Sequence, residues 1–164
     1  MSIFAELLSI KRFRESQAEL GVQKAHAELT HARLRHDDLQ SALEAFRTQA
    51  RNQELQWYAE LCIGPVKLRA INDVRESVAF LREDERKKEE STEQAARALT
   101  TATDRSQAAR LTLRQATTVK DKFVELATNV ADEAARELQR REDAEMEEVS
   151  SVRRDRQDWG GGDE

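Results

Sequence analysis

IGPV, residues 63–66, contains the single proline of this 164-residue chain. Gly64 and Pro65 are also the only glycine and proline between Val22 and Trp159. On both sides the sequence is rich in Ala, Leu, Gln, Glu, Arg and Lys, which favour helices. Proline cannot continue a helix, and glycine commonly ends one. The pattern therefore predicts two very long helices joined by one reversal.

The predicted fold is all-α: a long two-helix antiparallel coiled-coil hairpin with a C-terminal helical overhang. We expect one domain over residues 1–158, with helix 1 at about 3–62, a turn at about 63–72 and helix 2 at about 67–157. A flexible tail is predicted for residues 159–164. The start of helix 2 stays open, because Pro65 can occupy its first turn or Val66–Ile71 can be irregular with Asn72 or Asp73 as N-cap.

Composition excludes several classes of protein. Charged residues make up 36% and aromatic residues 5%, which leaves too little apolar material for a compact globular core. A net charge of −5 argues against a nucleic-acid partner, which selects a basic face. No apolar run reaches the ~18 residues of a transmembrane segment, and the first basic residues follow the apolar ones, unlike a secretory signal. With the lone Cys62, these features predict a cytoplasmic protein.

Small or apolar residues recur at alternating steps of four and three, which is the heptad pattern of a coiled coil. In the first arm this seam runs through Ala18, Val22, Ala25, Leu29, Ala32, His36, Leu39, Leu43, Phe46, Ala50, Gln53 and Trp57. In the second arm it runs through Ile71, Val74, Val78, Leu81, Glu85, Lys88, Thr92, Ala95, Leu99, Ala102, Ser106, Ala109, Leu113, Ala116, Lys120, Phe123, Ala127, Val130 and Ala134. Such a sustained phase predicts left-handed supercoiling.

A reversal at Gly64–Pro65 favours a monomeric hairpin in which the two seams meet each other. Paired residues then have numbers that sum to about 130, which places Leu7 opposite Phe123. Beyond about Ala127 the second arm has no partner, and residues 128–164 form an overhang with twelve acidic and six basic residues. The seam is most polar at Glu83–Glu93, which is either a solvated face or a place where the coil bends. Gly21 is a candidate kink in the first arm.

Residue types that carry chemistry do not form a recognisable site. His26, His31 and His36 recur every five residues, so each is rotated by about 140° from the last and they share no face for a metal. Asp37 and Asp38 lie beside His36, but a coiled coil provides no closed pocket to tune their pKa values. We expect no enzymatic activity, no catalytic residues, no metal and no cofactor.

Two ends of the hairpin are the candidate partner-binding surfaces. The terminal end has more apolar residues than one seam can bury, so we expect part of this set to stay exposed: Phe4, Leu7, Leu8, Phe13, Phe123, Val124 and Leu126. Lys11 and Arg12 beside them are candidates for steering an acidic partner. At the turn end, Trp57 and Tyr58 lie in a second apolar group. The alternatives are denser local packing, ordinary solvated charges and a loop that caps its own coil.

Three stretches of the chain resemble the YscO proteins of bacterial type III secretion systems, relatives of flagellar FliJ. They are ELLSIKRFRE at residues 6–15, KFVELA at Lys122–Ala127 and RREDAEMEEV at Arg140–Val149. The resemblance implies a stalk protein without activity of its own that inserts into the hexameric secretion ATPase, promotes its assembly or activity and links it to an export gate protein. It also implies contacts with secretion chaperones.

Carried onto this chain, the resemblance assigns one role to each end. The portion entering the ATPase ring comprises Phe4, Leu7, Leu8, Lys11, Arg12, Phe123 and Leu126. The turn end around Trp57 and Tyr58 faces the export gate, and the protein is peripheral to the apparatus at the inner membrane. Two alternatives stay open: a structural coiled-coil oligomer, and a chaperone-like adaptor that holds client proteins on its overhang.

Overall fold

The protein consists of two helices, α1 (Ile3–Leu61) and α2 (Leu68–Trp159). The structure is a computed structural model and describes residues 3–159. Within that range it contains no strand, and the predicted all-α antiparallel hairpin is confirmed. Trp159, expected to begin a tail, is the last residue of α2, and residues 160–164 of that expected tail lie outside the described range.

The chain divides into two units, which are described separately. The terminal unit comprises Met1–Ser16 and Arg114–Glu164, and the turn unit comprises Gln17–Leu113. Each contains one stretch of α1 and one stretch of α2. The predicted surfaces therefore fall into different units, with Phe13 and Leu126 in the terminal unit and Tyr58 in the turn unit.

The core of the turn unit is the predicted seam. Every seam position from Ala18 to Trp57 on α1 is buried or half-buried. The buried apolar side chains belong to Ala25, Leu29, Leu43, Val78, Ala95 and Ala102. Buried Thr92 satisfies its hydroxyl by donating to the Lys88 carbonyl at 2.8 Å. Two predicted seam positions of α2 in this unit are exposed, namely Ile71 and Lys88.

Backbone hydrogen bonds end α1 and begin α2 on either side of the turn. Cys62 N donates to Ala59 O at 3.1 Å and Ile63 N donates to Glu60 O at 3.4 Å, which tightens the last turn of α1. Ile71 N donates to Lys67 O at 3.3 Å where α2 begins. The helix thus starts at Leu68, one residue from the expected start at about 67. Of the two local alternatives, Pro65 lies before the first turn, and Asn72 and Asp73 lie inside α2.

The helices pair about one turn away from the predicted register. Phe46 contacts Lys88, Arg47 contacts Glu85 and Glu54 contacts Arg82. These pairs have numbers that sum to about 134, not about 130, a shift of about four residues. The prediction centred the reversal on Pro65. The observed pairs centre it about two residues later, so most of the six residues between the helices lie on the α1 side of the centre. As a result, the first turn of α2 extends past the level of Leu61.

In the polar stretch of the seam, charged side chains connect the two helices. The guanidinium of Arg47 donates to Glu85 at 2.8 Å and also to Glu89, and both carboxylates raise the pKa of Arg47 above its usual value. The Lys88 ammonium lies 5.2 Å from the centre of the Phe46 ring, within the range of a cation–π contact. Ion pairs and an aromatic contact therefore replace aliphatic packing here.

Replacing Gly21 with alanine is expected to stabilise the protein by about 0.5–1 kcal/mol. Helix α1 runs through Gly21, and a Cβ built there meets no atom within 4 Å. The gain comes from helix propensity and a less flexible unfolded chain. Urea unfolding followed by circular dichroism measures it, with Gln23→Ala as the control because glutamine is already a good helix former. An unchanged or lower free energy of unfolding in Gly21→Ala contradicts the prediction.

Candidate partner interface

In the terminal unit, the two helices are joined by a polar network centred on Glu15. Its Oε1 accepts hydrogen bonds from Thr117 Oγ1 at 2.9 Å and Lys120 Nζ at 3.1 Å. Lys120 also lies 3.2 Å from Asp121, and these two carboxylates, Glu15 first, raise the pKa of Lys120. Because the Glu15 and Lys120 side chains are only 17% and 23% exposed, the network lies in the seam rather than on the surface.

Lys11 also belongs to this seam. Its ammonium lies 5.0 Å from the centre of the Phe123 ring, and the residue is half-buried. A role in attracting an acidic partner, expected from its charge, is thus less available to Lys11 than to exposed Arg12. The signal that identifies Lys11 is its spacing, because Lys11, Glu15 and Ala18 continue the seam at steps of four and three.

The other predicted residues of the terminal end divide into two groups. Phe4, Leu7, Leu8 and Phe123 are half-buried, whereas Phe13, Val124 and Leu126 are exposed. Phe13 is the most prominent of the predicted set, with 64% of its surface exposed. The terminal unit therefore buries one part of its apolar surplus and leaves the other part accessible.

Several exposed apolar residues of the terminal unit were not predicted as site residues. Ile3 and Ile10 are seven residues apart and share a face of α1, and Val119 and Val130 lie on the face of α2 that carries the predicted Leu126. The sequence signal was present in the same helical spacing. Which of these residues are exposed depends on the register, because the register determines the face of each helix that meets its partner.

At the turn end, Trp57 is half-buried and Tyr58 is exposed. The largest exposed fractions at this end belong to Ile63 in the turn, at 83%, and to Leu68 at the start of α2, at 74%. Val66 is exposed as well. The alternative in which the loop caps its own coil is therefore wrong for these side chains.

The three histidines of α1 do not share one environment. His26 and His31 are exposed, and half-buried His36 has its Nδ1 3.4 Å from the Asp37 carboxylate. Among the described residues, no group of three or more His, Cys, Asp or Glu side chains is arranged to hold a metal ion. Within residues 3–159, no helix has the length and apolar character needed to cross a membrane.

The fold and its surfaces define a class of protein: a two-helix coiled coil with exposed apolar contacts in the terminal unit and at the turn. The family model described as type III secretion protein YscO matches residues 4–152. The chain therefore belongs to the YscO family of type III secretion proteins.

The fold is also found in a solved relative. The 2.8 Å crystal structure of type III secretion protein YscO from Vibrio parahaemolyticus matches with a TM-score of 0.81 and 23% sequence identity. The match covers 89% of this chain and 92% of that chain. At this identity the likeness shows a shared fold. Comparison with curated proteins gives no match.

Proposed function

We propose that this protein is a non-enzymatic stalk of a type III secretion system that acts in the cytoplasm, peripheral to the apparatus at the inner membrane. In this proposal the terminal end inserts into the hexameric secretion ATPase and promotes its assembly or activity. The turn end is directed to the export gate protein, and secretion chaperones are transient partners. Family membership supports this assignment.

The observation that carries the proposal is the exposed apolar surface of the terminal unit. A two-stranded coil buries one stripe per helix, and that stripe is already supplied by Phe4, Leu8, Lys11 and Glu15 on α1. Phe13 and Leu126 lie outside it and remain in water. Exposed aromatic and aliphatic side chains of this size are typical of a protein contact.

The charges beside this surface favour a particular kind of partner. Arg12 and Arg14 are exposed next to Phe13, whereas the nearby Lys120 is paired with Glu15. Free guanidinium groups form bidentate hydrogen bonds with carboxylates. The ATPase surface that receives this end is therefore expected to combine an apolar contact for Phe13 with acidic residues.

Phe13→Asp and Leu126→Asp are each expected to weaken association with the purified secretion ATPase by at least about tenfold, because each buries a charge in an apolar contact. Binding is measured by titration of the full chain against the ATPase, and helicity by circular dichroism. Leu34→Asp is the control, since Leu34 is 60% exposed, close to Phe13 and more than Leu126, but lies in the turn unit.

The choice of exposed positions makes the test specific for binding. Leu7 and Phe123 are half-buried, so an aspartate at either position changes helix pairing as well as the surface. Unchanged ATPase binding by both Phe13→Asp and Leu126→Asp contradicts the assignment of this surface.

A chaperone-like adaptor is the second candidate, and the exposure of α2 beyond the terminal seam favours it. All residues from Ala131 to Arg154 are exposed, including Leu138, Met146, Val149 and Val152. If this stretch holds export chaperones or clients, their binding survives Phe13→Asp and is lost in Leu138→Asp combined with Val149→Asp. The stalk proposal gives the opposite ranking for binding of the ATPase.

A further inference from the structure

The turn apex, defined here as residues 62–71, exposes four aliphatic side chains. Ile63 and Leu68 are the most exposed, and Val66 and Ile71 complete the group with 44% and 38% of their surfaces exposed. Large aliphatic residues in such proximity on a surface mark a contact rather than scattered exposure.

The coil next to the apex is packed without these side chains. Trp57 and Leu61 on α1 and Val74 and Val78 on α2 are buried or half-buried, so the seam is already filled at this end of the turn unit. The register places Leu61 level with about residue 73, which leaves the first turn of α2 without a facing helix. The aliphatic group therefore lies at the end of the turn unit, outside the seam of the coil.

The charges of the apex are of one sign. Between Glu60 and Asp73 the sequence contains Lys67 and Arg69 and no acidic residue, whereas the whole chain has a net charge of −5. Both cations are exposed, and neither forms an ion pair within the described part of the chain. An anionic surface therefore attracts the apex and repels most of the remaining chain.

We infer that the turn apex inserts its aliphatic side chains into the surface of an anionic lipid bilayer, with Lys67 and Arg69 at the headgroups. Aliphatic side chains partition into the boundary of the acyl chains, and adjacent cations add attraction to acidic lipids. Only side chains insert, so the contact is peripheral. The inference rests on the apex alone and does not depend on the ATPase contact.

Flotation of the full chain with lipid vesicles tests the proposal. We expect at least tenfold more protein bound to vesicles of phosphatidylcholine with phosphatidylglycerol than to vesicles of phosphatidylcholine alone, and less binding as salt is raised. Ile63→Ser combined with Leu68→Ser is expected to remove most of the binding, and so is Lys67→Glu combined with Arg69→Glu. Each change lies at exposed residues, so circular dichroism should show unchanged helicity.

Two matched controls separate the apex from general surface properties. Leu34→Ser combined with Leu111→Ser removes two exposed leucines of the same unit outside the apex. Arg105→Glu combined with Arg110→Glu makes the same change in net charge at exposed positions of α2. Both control variants are expected to float with anionic vesicles as well as the unsubstituted chain.

The single cysteine provides a direct measure of insertion. Cys62 is exposed and lies beside Ile63, so an environment-sensitive fluorophore attached to it reports on the apex of the otherwise native chain. Its emission should shift to shorter wavelength on anionic vesicles and should not shift when Ile63→Ser and Leu68→Ser are present.

Any of three results would overturn the proposal. The first is absence of flotation at about 0.1 M salt, where surface attraction still extends about 10 Å. The second is equal flotation of the chain with and without the serine substitutions, and the third is an apex that binds the purified export gate protein but no vesicle. The last result identifies a protein contact instead. Because none of these measurements contains the ATPase, they leave the stalk proposal to its own test.

Discussion

Leu43→Ala is expected to lower the free energy of unfolding by about 2–3 kcal/mol. Leu43 is 4% exposed, which makes it the most buried large aliphatic side chain of the seam. The substitution removes buried methyl groups and leaves a void between the helices. The estimate lies at the low end of buried leucine substitutions because two helices can close part of such a void.

Urea unfolding of Leu43→Ala measures this loss, and Leu34→Ala is the control. Leu34→Ala is the same substitution at a residue that is 60% exposed, so its free energy of unfolding is expected to change by no more than about 0.5 kcal/mol. If the two variants lose similar stability, the seam around Leu43 does not contribute more than the surface, and the assignment of the core is wrong.

Ala102→Leu is expected to destabilise the turn unit by about 1–3 kcal/mol for the opposite reason. Ala102 is buried, and the observed register places it level with about Ala32. Two small residues at one level allow close approach of the helices. A leucine at this level forces the helices apart or adopts a strained side-chain conformation.

The effect is measured as a shift of the unfolding midpoint, with Ala108→Leu as the control. Ala108 is exposed on the same helix, and leucine has nearly the helix propensity of alanine, so that variant should unfold like the unsubstituted chain. An Ala102→Leu variant as stable as Ala108→Leu would show that the close approach is not required.

The heptad pattern predicted the stripe that α1 buries in the turn unit and most of the facing stripe of α2, with Ile71 and Lys88 as exposed exceptions. Seam positions from Ala18 to Trp57 are all covered, because a period near 3.5 residues turns the same stripe towards the partner helix along the whole arm. The same pattern extends to Glu15 and to Lys11, whose charge alone predicts a role in steering an acidic partner. Their burial depends on Phe123, Thr117 and Lys120, which lie about a hundred residues away in the chain.

The candidate surfaces were predictable only in part. An apolar surplus at the terminal end follows from composition, yet its division into half-buried Leu8 and exposed Phe13 depends on the relative rotation of α1 and α2. At the turn, the sequence allowed both a capping loop and an exposed one. The helix starts at Leu68 and extends past Leu61, so Ile63 and Leu68 remain exposed.

Gly64–Pro65 and the heptad repeat thus specify two helices, their reversal and the stripe that each one buries. These are local properties, since backbone restriction and side-chain period act within a few residues of the chain. The register, the polar contacts of Glu15 and Arg47 and the exposed apex are decided by tertiary structure. Each depends on how two separate helices are aligned along their axes. A shift of one turn leaves the heptad pattern nearly unchanged, but it replaces every facing pair.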